Sequence, residues 1–148
     1  MENSLSKAPF GALHHVGFTI SDIDRSIAFY ECLGFVVASR WCEGPELCAR
    51  GLGVEGSDIE LVQMRRDGFV LELIAFRQPR ENDPDPSQIG NAHLAFSVAD
   101  IDATCAELAA LGGRLVSEVI RHPEADWAQL IDPDGIRIEI LMVHGQAN

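Results

Sequence analysis

The sequence predicts an α+β fold made of two tandem modules with the element order βαβββ, and an internal repeat is the main reason. The segment from His15 to Asp24 is similar in sequence to the segment from His93 to Asp102, which begins 78 residues later (93 − 15). The segment from Asp67 to Ile74 is likewise similar to the segment from Asp134 to Leu141. Within each copy, apolar residues alternate as in strands and then recur with the period of a helix. A unit repeated at this length indicates two copies of one supersecondary structure.

The first module is predicted to span residues 13–76. Its first strand ends before Asp22, a residue type that caps the start of a helix, and Gly34 is the type that favours the end of one. After a second strand, a loop rich in glycine leads to two strands that meet at the Asp67-Gly68 turn. The predicted elements are strand 13–20, helix 24–33, strand 35–41, strand 59–65 and strand 69–76.

The second module, residues 92–143, repeats this order after a linker with three prolines at residues 77–91. Its predicted elements are strand 92–98, helix 100–111, strand 115–121, strand 127–131 and strand 136–143. At the ends, residues 1–12 are expected to form a flexible leader and residues 144–148 a tail. The leader lacks the basic and apolar regions of a signal peptide.

Four potential metal ligands fall on one side of the predicted strands. Because side chains alternate between the two faces of a strand, apolar residues point to the helix in each module, while one histidine and one glutamate point away. These residues are His15 and Glu72 in the first module, and His93 and Glu139 in the second. His14 has the helix-facing parity and is expected to be structural. A single histidine or glutamate on a strand usually has no catalytic or metal-binding role. A pair without such a role, however, would not be expected at matching positions of both modules. Two imidazoles and two carboxylates suit a divalent metal.

Composition excludes several classes of partner. The formal net charge of −12 repels nucleic-acid phosphates and anionic lipid surfaces. No apolar run approaches the roughly 18 residues of a membrane span. The cysteines, Cys32, Cys42, Cys48 and Cys105, show no Cys-x-x-Cys spacing, so we interpret them as reduced residues of a cytoplasmic protein. A small molecule is the expected partner.

The repeated segments resemble the vicinal oxygen chelate superfamily, which includes glyoxalases, bleomycin resistance proteins and extradiol dioxygenases. The resemblance lies mainly in residues 15–30 and 131–140, with further support from residues 71–74 and 92–96. It extends from Leu13 to Val143 and is specific for the fold rather than for the substrate. It implies that the two modules form an eight-stranded mixed sheet curled around a metal-binding cavity.

The resemblance also implies a metal centre and its chemistry. His15 and Glu72 match the family's ligands on the first and fourth strands of one module, and His93 and Glu139 match those of the other. The cofactor would be a divalent ion (Ni, Co, Mn, Fe or Zn) with open positions for two neighbouring substrate oxygens. The expected reaction is removal of a proton next to a carbonyl with a metal-stabilised enediolate, by an isomerase, an epimerase or a glyoxalase-like lyase. Since family members form dimers, a homodimer is expected.

A metal-bound carboxylate that can release the ion is a candidate base. Glyoxalase-like relatives use the closing glutamate in this way, so Glu139 is the first candidate and Glu72 the second. Glu60, on a neighbouring strand, is a third catalytic candidate as an acid for an epimerase. Substrate choice is assigned to loops 42–57 and 121–127. Three residues could line the pocket: Trp41, Trp127 and Gln129.

Other functions of the superfamily stay open. An Fe(II)-dependent extradiol-type dioxygenase would use two histidines and one carboxylate, so Glu72 as a fourth ligand counts against it. A drug-binding resistance protein often lacks the ligand set, and a thiol transferase acting on epoxides would need a potassium site and basic residues. Within proton-transfer chemistry, Thr19 stands where glutathione-dependent bacterial relatives tend to carry an arginine. An isomerase or epimerase acting on another substrate is therefore favoured.

Overall fold

The computed structural model describes residues 12–81, 83, 85–116 and 118–145. Most of the predicted leader (residues 1–12) and the last three residues of the predicted tail (residues 144–148) lie outside the described residues. The predicted order βαβββ, followed by βαβββ, is present in the described part of the chain.

The first module contains β1 (Val16–Ile20), α1 (Ile23–Cys32), β2 (Val36–Glu43), α2 (Pro45–Leu47), β3 (Ile59–Arg66) and β4 (Phe69–Phe76). Helix α1 begins as predicted, because the Asp22 carboxylate accepts a hydrogen bond of 2.9 Å from the Arg25 amide. The glycine-rich loop contains structure that its composition does not indicate. Here α2 runs into a π-helical turn, Cys48–Leu52.

The second module contains β5 (His93–Ser97), α3 (Ile101–Ala110), β6 (Arg114–Leu115), β7 (Ala125–Ile131) and β8 (Arg137–Val143). In the described part of the strand predicted for residues 115–121, pairing with β7 comes from β6, from the Val116 amide and from an isolated bridge between Ile120 and Trp127. Strand-forming side chains do not decide whether a segment at a sheet edge pairs along its whole length. No helix among the described residues is long and apolar enough to cross a bilayer.

The strands pair into two four-stranded mixed sheets of the same topology, which confirms the α+β class and the tandem repeat. The strand order is β1-β4-β3-β2 in the first sheet and β5-β8-β7-β6 in the second. In each sheet the first strand of the module runs parallel to the last, and the other neighbours are antiparallel. The eight strands are thus divided between two open sheets, and β1 and β5 each lie at a sheet edge.

The helix-bearing faces of the two sheets share one apolar core. Phe29 and Tyr30 of α1 and Ile101 and Leu108 of α3 belong to the same buried cluster, together with the apolar strand residues on the helix side of both sheets. The helices approach closely at Gly113, where a Cβ atom would lie 2.8 Å from the Leu108 carbonyl oxygen and 2.9 Å from the Phe29 ring. The faces that carry the predicted ligands therefore point away from the shared core.

A polar clamp joins the turn after β7 to the first module. Asp132, only 2% exposed, accepts a hydrogen bond of 2.9 Å from the Tyr30 hydroxyl and two of 2.9 Å from amides of its own turn. Asp134 accepts hydrogen bonds from the Ser21 hydroxyl and, at 3.0 Å, from the Arg25 guanidinium. Burial raises the pKa of the Asp132 carboxyl, and burial followed by the charge of Asp132 raises the pKa of Tyr30. These contacts set the position of one module on the other.

Candidate metal centre

The first predicted pair, His15 and Glu72, comes together at the edge of the first sheet. His15 directly precedes β1, and the parallel register of β1 and β4 places Glu72 beside Gly17. His15 Nε2 lies 3.5 Å from Glu72 Oε1, with the two side chains 36% and 10% exposed. The neighbours of Glu72 on β4, Leu71 and Leu73, are in the core. Glu72 therefore lies on the face away from the helix, as strand parity predicts.

The second pair, His93 and Glu139, is built by the same register. His93 begins β5, and β8 places Glu139 beside Ala95. His93 Nε2 lies 3.7 Å from Glu139 Oε2, with the two side chains 49% and 21% exposed. Ile138 and Ile140, on either side of Glu139, are in the core. Each module therefore presents one imidazole and one carboxylate on its outward face.

A glutamine holds each glutamate, and these glutamines are not part of the predicted ligand set. Gln63 Nε2 donates to Glu72 Oε2 at 2.8 Å, and Gln129 Nε2 donates to Glu139 Oε2 at 3.0 Å. Each glutamine lies directly opposite its glutamate in the antiparallel register. A sequence signal existed, since a glutamine precedes the glutamate by 9 residues (72 − 63) in one module and by 10 (139 − 129) in the other. Partners of this kind orient a ligand and tune its affinity for metal.

His14 is not the buried structural residue that strand parity predicts. Both His14 and His15 precede β1, where the alternation of a paired strand does not yet apply. His14 is exposed, and its Nδ1 lies 2.8 Å from Nδ1 of His15. The contact occupies Nδ1 of His15 and leaves Nε2 on the side of Glu72.

The two pairs do not meet within one chain. Among the described residues, no group of three or more histidine, cysteine, aspartate or glutamate side chains is placed to hold a metal ion. The reason is the shared core, because two sheets that pack through their helix-bearing faces direct their other faces apart. Each pair offers one imidazole nitrogen and one carboxylate oxygen, which are donors that divalent transition metals accept. Each is half of the expected ligand set, and we call the two pairs half-sites.

Glu60, the third catalytic candidate, lies on the other side of the first sheet. In the register of β3 and β4 it is opposite Ala75, which has the parity opposite to that of Glu72. Arg40 donates through Nε to Glu60 and through Nη1 to Asp24 of α1, the latter at 2.7 Å. The structure therefore does not bring Glu60 to the first half-site.

The second module repeats this arginine brace, which indicates a structural role for Glu60. Arg121 donates through Nη1 to Asp126 on β7 and through Nη2 to Asp102 in the first turn of α3. The hydrogen bond from Arg121 lowers the pKa of Asp126. In both modules an arginine thus links a carboxylate of the first helical turn to a carboxylate of the third strand, on the side opposite the half-site.

Beyond each half-site the outward face of the sheet becomes apolar, and the two modules cover this surface differently. In the first module Cys48 of the π-helical turn is fully buried in a cluster with Leu61 and Ile74, and Trp41 packs against it. In the second module Trp127, on the same face as Gln129, is 37% exposed. Of the two tryptophans proposed as lining residues, Trp127 is the more accessible. All four cysteines are free thiols.

Small residues beside His15 leave open space along β1. A cavity of about 580 Å³ is lined by Gly17 and Thr19 of β1, by linker residues 79–81 and by Pro133 and Asp134 of the second module. Gly17 and Thr19 belong to the outward face, next to Glu72 in the register. The cavity follows the edge of β1 between the two modules and is large enough for a small molecule, and its lining residues do not include His15 or Glu72.

Comparisons with known proteins agree with this architecture. The family model described as the Glyoxalase/Bleomycin resistance protein/Dioxygenase superfamily matches residues 12–140. The chain is 30% identical over 146 residues to a 2-epi-5-epi-valiolone epimerase from an Actinomyces species, covering 88% of this chain and 78% of that protein. It is 29% identical over 131 residues to a lactoylglutathione lyase from Haemophilus influenzae, covering 86% and 89% of the two chains. The glyoxalase family protein APC24694 from Bacillus cereus has the same fold, with a TM-score of 0.82, 23% identity and coverage of 95% and 99%. The chain is therefore a member of the glyoxalase, bleomycin resistance protein and dioxygenase superfamily.

Proposed function

We propose that this protein is a divalent-metal-dependent enzyme of glyoxalase type that removes a proton next to a carbonyl group. Its substrate would be a small molecule with two neighbouring oxygens, and its reaction an isomerisation, an epimerisation or a glyoxalase-like lyase step. The observation that carries the proposal is the duplicated half-site, in which the same register brings a histidine to a glutamate at 3.5 Å and again at 3.7 Å.

A complete ligand set requires two chains. His15 and Glu72 of one chain would meet His93 and Glu139 of a second copy, because within one chain the two half-sites face apart. The proposed homodimer would hold two equal sites related by its two-fold axis. Strands β1 and β5 lie at sheet edges beside the half-sites, where a second copy has access to them. Two imidazole nitrogens and two carboxylate oxygens suit Ni, Co, Mn, Fe or Zn.

An ion bound there would act as a Lewis acid toward the substrate oxygens. The glutamates supply the proton-accepting groups, with Glu139 as the first candidate base and Glu72 as the second. In Glu72, Gln63 holds Oε2 while Oε1 is the oxygen beside His15. In Glu139, Oε2 both accepts from Gln129 and lies beside His93. Glu60 is left out of the mechanism because it lies on the opposite face of the sheet.

The position of Thr19 supports an isomerase or epimerase over a glutathione-dependent lyase. The relatives include both an epimerase and a lactoylglutathione lyase, so their names do not choose between the two reactions. Thr19 is exposed on β1 and lines the cavity along the edge of that strand. It offers no positive charge where an arginine would be expected for the glutathione carboxylate. We therefore favour a keto or carboxylic substrate other than a glutathione adduct.

Deuterium exchange tests the chemistry directly. The metal-loaded protein, in heavy water, is expected to incorporate deuterium next to the carbonyl of suitable keto acids or acyl thioesters, as followed by NMR. Glu139→Gln should slow exchange strongly, whereas Glu60→Gln should leave it intact because Glu60 belongs to the arginine brace. No exchange with any candidate, together with oxygen uptake in the presence of Fe(II) and a catechol, would replace this proposal with a dioxygenase.

Complementation tests the shared site. A chain with His15→Ala and Glu72→Ala keeps the second half-site, and a chain with His93→Ala and Glu139→Ala keeps the first. Neither is expected to bind metal alone. After subunit exchange the heterodimer should regain one of its two sites, as measured by native mass spectrometry with Co²⁺. Heterodimers that form without regaining metal would refute the shared site.

A further inference from the structure

In the second module, two hydrogen bonds connect an arginine, a glutamine and Glu139. Arg137 and Glu139 are two residues apart on β8, so both side chains leave the same face of the sheet. Arg137 Nη1 donates to Gln129 Oε1 at 3.0 Å, and Gln129 Nε2 donates to Glu139 Oε2 at 3.0 Å. Arg137 is also beside His93 in the parallel register. It therefore belongs to the second half-site, although no metal-ligand pattern includes it.

The chemistry of these groups determines which atom donates and which accepts in the two hydrogen bonds. A guanidinium carries only donors, so the group of Gln129 that faces Arg137 must be the amide oxygen. The amide nitrogen is then turned to Glu139, whose carboxylate is an acceptor. The hydrogen bond from a charged guanidinium is stronger than one between neutral groups. Arg137 thus selects one of the two orientations of the Gln129 amide, and that orientation holds Glu139 Oε2.

The first half-site lacks this support. Gln63 donates to Glu72 Oε2 at 2.8 Å, but Val70 occupies the position on β4 that Arg137 has on β8, two residues before the glutamate. An arginine, Arg65, is opposite Val70 on the neighbouring strand. Its side chain is exposed and, among the described residues, takes part in no hydrogen bond or ion pair. Among the described residues, Gln63 thus orients Glu72 without an arginine behind it.

We propose that Arg137 is a positioning residue for Glu139 and acts through Gln129. The second module then supplies a carboxylate whose glutamine is itself oriented by an arginine before the metal binds, and the first module supplies one whose glutamine lacks that partner. The functional meaning of this inference rests on the proposed metal site. The asymmetry between two otherwise repeated half-sites is the observation behind it.

Side-chain NMR of the metal-free protein tests the two hydrogen bonds of Gln129 independently of the metal site. The Gln129 amide is expected to give two well-separated proton signals with slow hydrogen exchange. Arg137→Met should bring the two signals closer together and speed their hydrogen exchange, because it removes the partner of the Gln129 amide oxygen. Arg137→Lys, which keeps a charged donor, should restore part of the difference. Arg65→Met is the matched control, since it removes an arginine from the corresponding face of the first module without breaking a hydrogen bond. Gln129 signals that are already those of a free side chain in the wild type would overturn the proposal.

Cobalt binding tests the consequence for the metal. Arg137→Met is expected to weaken Co²⁺ binding by about 10–100-fold, the usual effect of losing a group that orients a ligand, and to change the visible spectrum of bound Co²⁺. The Tm of the metal-free variant should stay close to that of Arg65→Met. Wild-type affinity and spectrum in folded Arg137→Met would overturn the proposal. A wild-type protein that binds no Co²⁺ but restrains the Gln129 amide would instead refute the proposed metal site and leave the positioning of Glu139 standing.

Discussion

The two modules are alike at the half-sites and different beside them. Both join a histidine, a glutamate and a glutamine on the outward face, and both link a helix to the third strand through an arginine on the inner face. Next to the glutamate, however, the first module has Val70 and the second has Arg137. Farther along the same face, residues 45–52 cover the first sheet, whereas Trp127 is partly exposed on the second.

This difference fits the partners of the two surfaces, a metal ion at the half-sites and a substrate at the residues around them. An ion held by two equivalent halves needs the same donors from each, so the half-sites can stay matched. A small substrate has no two-fold symmetry, so the residues that surround it gain by differing between modules. We expect selectivity to reside in the unmatched residues, above all Trp127 and the segment 45–52.

The largest expected effect tests whether the half-sites contribute equally. Glu72→Ala and Glu139→Ala should each weaken metal binding by more than the roughly 10–100-fold typical of residues that only orient a ligand. Calorimetry with Co²⁺ measures both variants against wild type. Metal affinity that survives Glu72→Ala but not Glu139→Ala would break the comparison. It would favour a centre of two histidines and one carboxylate, as in the dioxygenase alternative.

The second prediction compares the turns that precede β4 and β8. Asp132→Ala should lower the free energy of unfolding by about 2–3 kcal/mol, because it leaves the buried Tyr30 hydroxyl and two turn amides without their acceptor. Asp67→Ala should cost only about 1 kcal/mol, the penalty for a left-handed residue without a short polar side chain, since Asp67 has φ +49° on an exposed turn. Urea denaturation measures both. Equal losses would show that the polar clamp adds nothing to the turn.

The third prediction concerns the pH dependence of stability that arises from the turn before β8. Burial raises the pKa of Asp132 in the folded state, so folding favours its protonated form. Its contribution to stability is fully present below the unfolded pKa of about 3.9 and is lost as the pH rises through the folded-state pKa. Asp132→Asn removes this titration while an amide can still meet the same partners. The Tm of Asp132→Asn relative to wild type should therefore rise with pH in that window.

The smallest expected effects compare the apolar surfaces beyond the half-sites. Cys48→Ser and Val143→Thr both place a hydroxyl on the outward face with little change in shape. Cys48 is fully buried, so its substitution should cost about 1–2 kcal/mol of stability. Val143 is 40% exposed on the second sheet, so its substitution should stay within about 0.5 kcal/mol. Denaturant titration measures the free energy of unfolding of both variants. A large loss of stability in Val143→Thr would mean that this surface is covered in solution.

Local periodicity explains which parts of the fold were predictable. The helix cap at Asp22 and the span of β4 follow from side-chain chemistry and from a two-residue period, and the structure confirms them. Asp100, predicted as the first residue of the second helix, is its N-terminal cap. The short β6 and the helical segment 45–52 differ from prediction because edge pairing and packing on a sheet depend on residues distant in the chain. The bond between Glu60 and Arg40 is of the same kind, because the two residues lie 20 positions apart on different strands.

The sequence by itself determined the two modules and the common outward direction of His15, Glu72, His93 and Glu139 within them. These properties need only the repeat and the alternation of a strand, which are local. The tertiary structure decided how the half-sites relate to each other. The helix-bearing faces pack into one core and the Tyr30–Asp132 contact locks the modules together, so the two outward faces point apart within a single chain. Packing between modules arises from contacts across a hundred residues, which no local pattern encodes, and it is this packing that makes a second copy necessary for the proposed metal centre.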